Sequence, residues 1–213
     1  MKPLIDWDDC ARAFASSPLA AWKPLAPWEL VAQAPQIVRQ LMAGLPDAGH
    51  RVDNDVAVHR SATVEAGAVL KGPLVIGAGC FVAAGACLRG GCWIDAGCIV
   101  GPGAELKSSF MFRGSKLAHF NFVGDSVLGS DVNLEAGSIV CNYRNERASH
   151  EVHVRLAGRL LATGQDKFGA LGGDGCRIGA NAVLAPGALL MPGTVLARGQ
   201  LFDAEAAPAS TLR

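Results

Sequence analysis

Large hydrophobic residues recur at every sixth position along most of the chain. The count runs without a miss from Val58 to Phe112, resumes at Leu128, and resumes again at Ile178. Four residues after each large residue the side chain is usually small. The residue just before this small residue is often glycine. A period of six fits neither an α-helix nor simple strand alternation. It predicts short strands separated by tight turns, where glycine tolerates dihedrals that other residues avoid.

Stacking such repeats predicts a solenoid whose interior receives large and small side chains in alternation. Cys80, Cys92 and Cys98 fall on the small inward positions. Free cysteine is commonly a buried packing residue, so we interpret these three as core residues. The stretch at 114–125, GSKLAHFNFVGD, interrupts the count and contains His119. We hypothesise that the register breaks here, that a loop swings outward with His119, and that Lys116 lies at an inward position.

Two segments lie outside the repeat. Residues 27–45 place apolar side chains along one helical stripe, with Pro27 suited to a helix start and Gly44 to an end. The stripe consists of Trp28, Val31, Val38, Leu41 and Met42. This helix either caps the open first coil or docks on a partner subunit. Residues 144–175 predict an inserted hairpin that turns at Ala157 and Gly158, with His150 and His153 facing solvent.

The pattern therefore predicts a mainly β protein of three parts. They are an N-terminal helical cap at 1–50, a β-helix at 51–202 that includes the hairpin insertion, and a flexible tail at 203–213. A length of 213 residues fits one such domain.

Composition narrows the function classes. The formal net charge is zero and 18% of residues are charged, which argues against nucleic-acid binding because phosphates require a basic surface. No stretch is long and apolar enough to span a bilayer, and the acidic start is unlike an export signal, so we expect a cytoplasmic protein. The seven cysteines include no CxxC pair. We therefore predict no metal site, and a zinc site would need three converging histidines.

The interrupted stretch carries a more specific signal. GSK, a histidine three residues on, VGD, then VN and CNY follow in order between Lys107 and Tyr143. The repeats resemble the left-handed parallel β-helix of the hexapeptide transferases. The ordered motifs resemble the acetyltransferase domain of bifunctional N-acetylglucosamine-1-phosphate uridyltransferase/glucosamine-1-phosphate acetyltransferases. The resemblance covers roughly residues 55–202 and implies triangular coils, about six of them, with assembly as a homotrimer.

The resemblance also implies a reaction, the transfer of an acetyl group from acetyl-CoA to the amine of an amino-sugar phosphate. It makes His119 the general base, a task that suits histidine near neutral pH. It makes Asn142 the residue that stabilises the oxyanion or holds the acetyl group. Without the resemblance, His119 could fill a kink and Asn142 could stack among interior amides.

The resemblance further implies a set of substrate-binding residues. Asn133 would contact the sugar or the pantetheine arm, and Arg89 and Lys107 would bind a phosphate or uridyl group, although lone cations are more often solvated corners. Tyr143 and Phe122 complete the predicted set.

Two departures from the family pattern keep a second function open. The family usually has a tyrosine where this chain has Phe122, and the lysine expected a few residues after Tyr143 is absent. Either the substrate differs, or Arg147 or Lys167 replaces that lysine, or the activity is weak. The alternative is a weak or inactive β-helix that binds a sugar phosphate or nucleotide sugar, or that serves as a trimeric scaffold. Only about 50 residues precede the repeats, without a glycine-rich phosphate loop, so we expect no uridyl transfer.

Overall fold

The main body of the protein is a left-handed parallel β-helix. A computed structural model describes residues 5–45 and 49–206. The strands, in chain order, are β1 (His50–Asp53), β2 (Val56–His59), β3 (Thr63–Val64), β4 (Val69–Leu70), β5 (Leu74–Ile76), β6 (Phe81–Val82), β7 (Cys87–Arg89), β8 (Cys92–Ile94), β9 (Ile99–Val100), β10 (Glu105–Lys107), β11 (Phe110–Met111), β12 (Lys116–Leu117), β13 (Phe122–Gly124), β14 (Val127–Leu128), β15 (Asn133–Leu134), β16 (Ile139–Val140), β17 (His153–Leu156), β18 (Arg159–Ala162), β19 (Ala170–Gly172), β20 (Arg177–Ile178), β21 (Val183–Leu184), β22 (Ala188–Leu190), β23 (Val195–Leu196) and β24 (Leu201–Phe202).

Successive strands go to successive sides of the prism, which we number as three faces. Face 1 is the sheet β1-β2-β5-β8-β11-β14-β19-β22, in which β1 alone pairs antiparallel. Face 2 is β3-β6-β9-β12-β15-β20-β23, and face 3 is β4-β7-β10-β13-β16-β21-β24. Faces 2 and 3 each have 7 parallel strands, so the helix has one more coil than the sequence predicts.

The interior is packed as the repeat predicts. Large inward residues from the three faces form one core cluster. Cys80, Cys92 and Cys98 are buried within that cluster, which confirms their assignment as packing residues. Cysteine fits there because residues at the same position of successive coils stack on one another, as Cys80 does on Cys98, so this position needs a small side chain in every coil.

The predicted break at 114–125 is wrong. β12 and β13 pair in register with the coils on either side, so no loop swings outward. The count slips at two turns from face 3 to face 1, between Leu106 and Met111 and between Val123 and Leu128, where the inward residues are five positions apart instead of six. Met111, not Phe112, is therefore the inward residue. Lys116 is exposed and its neighbour Leu117 is buried, which also overturns the inward position predicted for Lys116.

The N-terminal segment folds into short helices. They are α1 (Trp7–Cys10), α2 (Pro27–Ala32) and α3 (Ala34–Ala43), with 3₁₀ turns at Arg12–Ser16 and Ala20–Trp22. The single helix predicted at 27–45 is thus two helices interrupted at Gln33. Pro35 explains the interruption, because it has no N–H to donate to the carbonyl of Val31 as a continuous helix requires, and it instead fits the first turn of α3.

These helices pack on the outside of face 1. Trp7, Phe14 and Trp28 join the outward residues Trp93 and Phe110 of face 1 in a second buried cluster. The helices therefore cover a side wall, and their described contacts do not cap the first coil. The large aromatic residues on the outside of face 1 explain this choice, since burying them removes much apolar surface from water.

The predicted hairpin is formed by β17 and β18, which pair antiparallel. Val152 and Val154 bury their side chains in the same second cluster. Face 1 is therefore covered by the helices and by the hairpin. Faces 2 and 3 and the turn between them carry five exposed large apolar residues, namely Val69, Phe120, Ile139, Val195 and Leu201. Three others are exposed at Val52 of β1, Leu160 of the hairpin and Met191 after β22.

The beginning of the predicted tail is held to the body. Asp203 forms an ion pair with the buried Arg144, and Glu205 lies beside them. Residues 207–213 of the predicted tail lie outside the described residues. Within 5–45 and 49–206, no helix is long and apolar enough to cross a membrane. The same residues contain no group of three or more histidine, cysteine, aspartate or glutamate side chains arranged to hold a metal ion.

Candidate active site

Five of the seven predicted site residues line one pocket on face 3. The pocket has a volume of about 500 Å³. Its lining consists of Arg89, Lys107, Phe122, Asn142, Tyr143 and Lys167. The pocket lies beside the turn from face 3 to face 1.

Strand register explains why these residues meet. Arg89 pairs with Lys107 on the next coil, and Lys107 pairs with Gly124 on the coil after that. Parallel neighbours lie about 4.8 Å apart, so residues at the same position of successive coils form a ladder. Asp125 comes directly after Gly124, and Asn142 lies at the corresponding turn of the following coil. Residues far apart in sequence thereby share one wall.

Carboxylates fix two of the cations. Arg89 pairs with Glu105 at 2.6 Å and Lys107 pairs with Asp125 at 2.7 Å. Asp125 also accepts a hydrogen bond from Nδ2 of Asn142. A carboxylate only accepts hydrogen bonds, so the amide nitrogen of Asn142 faces Asp125 and has a second proton to donate.

Gly124 leaves the space that the Asn142 amide occupies. A Cβ built on Gly124 would lie 2.7 Å from Nδ2 of Asn142 and 2.8 Å from the ring of Phe122. Any larger residue would displace one of these two side chains.

Lys167 brings an uncompensated positive charge to the pocket. It is exposed, and no carboxylate within the described part of the chain pairs with it. The hairpin returns the chain to this point, because the N–H of Phe168 donates to the carbonyl of Asn142 at 3.1 Å. Arg147, the other proposed replacement for the missing lysine, pairs with Glu205 instead. Of these two candidates, Lys167 is the one that lines the pocket.

His119 lies at the opposite edge of face 3. It occupies the turn between β12 and β13 and is exposed, so its ring does not enter the core. Its side chain makes no hydrogen bond or ion pair with any other described residue. Strand β13 lies between His119 and Asp125, and His119 is not among the residues that line the pocket with Asn142. In a single protomer His119 is therefore not part of this pocket.

Asn133 is also outside the pocket. It lies on β15 of face 2 and lines a separate crevice of about 250 Å³ with Glu135 and Arg177. The structure thus divides the predicted residues into a pocket on face 3, a histidine at the turn between faces 2 and 3, and an asparagine on face 2.

The sequence analysis missed Asn121, which anchors the turn that carries His119. Its side chain is buried, and Nδ2 donates to Oγ of Ser138 at 2.9 Å and to the carbonyl of Glu135 at 2.8 Å. The signal was available, because Asn121 stands where the repeats have a small residue such as Ala104.

Arg144 was missed as well, and it supports Tyr143. Its side chain is 2% exposed, and it donates to both carboxylate oxygens of Asp203, at 2.9 and 2.8 Å. The hydrogen bond from Arg144 lowers the pKa of Asp203. The carbonyl of Arg144 lies 2.8 Å from Nδ1 of His150, whose ring packs on Tyr143 with centroids 4.6 Å apart. His150 therefore does not simply face solvent as predicted.

Comparison with known proteins agrees with the repeat pattern. Residues 73–108 match the family described as bacterial transferase hexapeptide (six repeats). A bifunctional sugar-1-phosphate nucleotidylyltransferase/acetyltransferase of Sulfurisphaera tokodaii is 38% identical over 100 residues, covering 44% of this chain and 24% of that protein. The bifunctional protein GlmU of Alkalilimnicola ehrlichii is 34% identical over 104 residues, covering 49% and 22%. The resemblance to hexapeptide-repeat transferases is confirmed.

These matches are partial in length. The chain spans about a quarter of the curated relatives it matches. Among solved structures, a hexapeptide transferase family protein from Anaplasma phagocytophilum has 18% identity and a TM-score of 0.35, covering 68% of this chain and 72% of that one. The acetyltransferase domain of PglB from Neisseria gonorrhoeae in complex with acetyl coenzyme A has 15% identity and a TM-score of 0.27, covering 85% and 71%.

The ion pair between Arg144 and Asp203 predicts a pH-dependent loss of stability. Asp203→Asn removes one carboxylate from the buried guanidinium and leaves Glu205 at 3.2 Å and Glu146 at 3.4 Å. We therefore expect the free energy of unfolding at pH 7 to fall by about 1.5–3 kcal/mol, as for a lost hydrogen bond to a charged group. The folded pKa of Asp203 is lowered. Its contribution is therefore complete above the unfolded pKa of about 3.9 and disappears as pH falls through the folded value.

Urea unfolding of wild type and Asp203→Asn at pH 7 and at about pH 3 measures this difference. The gap between the two proteins is expected to narrow at the lower pH. Asp166→Asn, at an exposed position in the hairpin segment, is the matched control and should change little at either pH. A gap that stays constant with pH would contradict the role of this ion pair.

Proposed function

We propose that the protein is an acetyltransferase that moves an acetyl group from acetyl-CoA to the amine of an amino-sugar phosphate, and that it acts as a homotrimer. The observation that carries this proposal is the pocket on face 3, where three cations and an oriented amide donor face the same space. The similarity to relatives whose names include an acetyltransferase supports the reaction class.

The charges of the pocket suit a phosphate. Arg89 and Lys107 are each paired with one carboxylate, whereas Lys167 is not. The pocket therefore has a net positive charge, and arginine and lysine together offer several donors to a phosphate group. We assign the phosphate of the acceptor to these three side chains.

The amide and the histidine supply the chemistry of acyl transfer. His119 accepts a proton from the ammonium form of the acceptor, and the neutral amine nitrogen then attacks the thioester carbonyl. The free N–H of Nδ2 of Asn142 donates to the oxyanion that forms on the carbonyl oxygen. The C–S bond breaks, the protonated His119 gives its proton to the thiolate of coenzyme A, and the nitrogen loses its second proton to solvent to leave an N-acetylated sugar phosphate. Asp125 holds the Asn142 amide in the donating orientation.

A trimer would complete the site. His119 and Asn142 lie at opposite edges of face 3 in one chain, so the base has to come from a second copy. Face 1 is covered by the helices and the hairpin, whereas faces 2 and 3 are open and carry exposed apolar residues. A threefold arrangement buries two faces of each prism and leaves the third outward. We propose that the turn carrying His119 meets face 3 of the neighbouring subunit.

The positions of Asn133 and Phe122 refine the proposal. Asn133 is on face 2, away from the cations, so we assign it to the pantetheine arm of acetyl-CoA and not to the sugar. Phe122 lines the pocket without a hydroxyl group, and this is the observation that favours the alternative of a trimer that binds a sugar phosphate without turnover. Activity measurements separate the two functions.

Replacing His119 tests the reaction directly. We expect wild type to release thiol from acetyl-CoA in the presence of glucosamine-1-phosphate or galactosamine-1-phosphate. His119→Ala should lower kcat by about 10²–10⁴-fold, because it removes the general base. His153→Ala, in the hairpin, is the control and should retain activity. Sugar-phosphate binding without turnover in wild type would establish the alternative function.

Replacing Lys167 tests the assignment of the phosphate. Lys167→Met should raise KM for the sugar phosphate by about 10–100-fold, as expected for a lost hydrogen bond to a charged group. The KM for acetyl-CoA should stay unchanged. Lys23→Met, in the N-terminal segment that packs on the outside of face 1, is the control. An equal KM for the sugar phosphate in wild type and Lys167→Met would contradict the assignment.

A further inference from the structure

Phe120 departs from the pattern of the turn between faces 2 and 3. In each of the seven coils the third residue of this turn has a positive φ. In the other coils that residue is glycine or asparagine, at Gly67, Gly85, Gly103, Gly137, Asn181 and Gly199. Phe120 has φ 52° and is the only aromatic residue with a positive φ in the described part of the chain.

The conformation of Phe120 is strained and burial does not compensate for it. The left-handed region is disfavoured for residues with a Cβ, and a bulky residue there is a genuine outlier. The Phe120 side chain is 72% exposed, the highest value among the exposed large hydrophobic residues. Backbone strain of this kind is found mainly at functional sites such as active sites and ligand-binding sites. Phe120 directly follows His119, so the site concerned is the one that contains the base.

The ring has a defined position. A Cβ built on Gly103 would lie 2.5 Å from Cδ1 of Phe120, so the ring lies against the same turn of the preceding coil. Gly103 comes just before β10, the strand that contains Lys107. The ring therefore extends from His119 toward the coil level of Lys107 and Arg89, away from the level of Asn142.

We propose that Phe120 is a substrate-contact residue whose ring stacks on the apolar face of the acceptor sugar. The inference rests on the proposed function. In the trimer, the turn carrying His119 and Phe120 meets the neighbour's pocket, where the cations hold the phosphate. A hexose ring attached to that phosphate lies between the cations and the base, at the level of the Phe120 ring. A hexose presents C–H groups on one face, and an aromatic ring is a suitable apolar partner for them.

Phe120→Gly tests the contact, because it restores the residue found in most other coils. Relief of strain should keep the melting temperature at or above the wild-type value, by up to about 2–4 °C. KM for the sugar phosphate should rise about tenfold, as expected for a lost aromatic contact. KM for acetyl-CoA and the trimer mass measured by light scattering should stay unchanged. Phe120→Trp retains an aromatic ring and should retain the KM for the sugar phosphate.

Asn181→Gly is the matched control. It makes the same kind of substitution at the same turn position in another coil, so it should leave both KM values unchanged. An unchanged KM for the sugar phosphate in Phe120→Gly would overturn the inference. Dissociation of the Phe120→Gly trimer would also overturn it, since the ring would then be a subunit contact.

Calorimetric titration with glucosamine-1-phosphate separates this inference from the proposed function. Weaker binding by Phe120→Gly than by wild type supports the contact, whether or not wild type shows turnover. Absence of turnover in wild type would overturn the acetyltransferase proposal alone. Equal binding by the two proteins, together with turnover in wild type, would overturn the role of Phe120 alone.

Discussion

The packing of large and small side chains inside the coil is the constraint on which the rest of this structure depends. Each coil must present the same sizes at the same inward positions, because neighbouring coils stand only about 4.8 Å apart. Variation is therefore restricted to outward side chains and to turns. The pocket residues obey this rule, since Arg89 and Lys107 are outward neighbours on successive coils.

This constraint also divides the candidate site. Outward residues of one face form a ladder along one edge, which gathers Lys107, Asp125 and Asn142. A residue at the other edge of the same face cannot approach them, because the strand between is extended and the core fixes its length. His119 is at that other edge. In the proposed mechanism a second copy therefore brings His119 to Asn142, and the covering of face 1 leaves faces 2 and 3 for that contact.

The sequence predicted the features that depend on the repeat. The solenoid, the buried cysteines and five residues of the pocket follow from the period and from the family motifs. The five-residue step from Leu106 to Met111 was not visible, because Phe112 restores an apparently continuous count. Periodicity alone does not distinguish a residue facing the core from one facing the covered outside of face 1, since both are hydrophobic.

Contacts between residues far apart in the chain could not be predicted from the sequence either. Lys167 and Arg147 were equivalent candidates to replace the missing lysine, and only the return of the hairpin beside Asn142 separates them. The helices dock on face 1 because aromatic residues point outward there. The six-residue period did not predict which aromatic residues point outward. The turn carrying Phe120 shows its departure from the pattern only when the seven coils are aligned by their backbone conformation.

Mixed trimers of His119→Ala and Asn142→Ala subunits test the central claim, that each site is shared between two copies. Each variant alone should be nearly inactive. When equal amounts are refolded together, a site is intact only if a subunit with His119 faces one with Asn142, so about a quarter of wild-type activity should return. Light scattering and labelled subunits verify that mixed trimers form. If mixed trimers form and activity stays at the level of the separate variants, base and amide act within one chain, and the account is wrong.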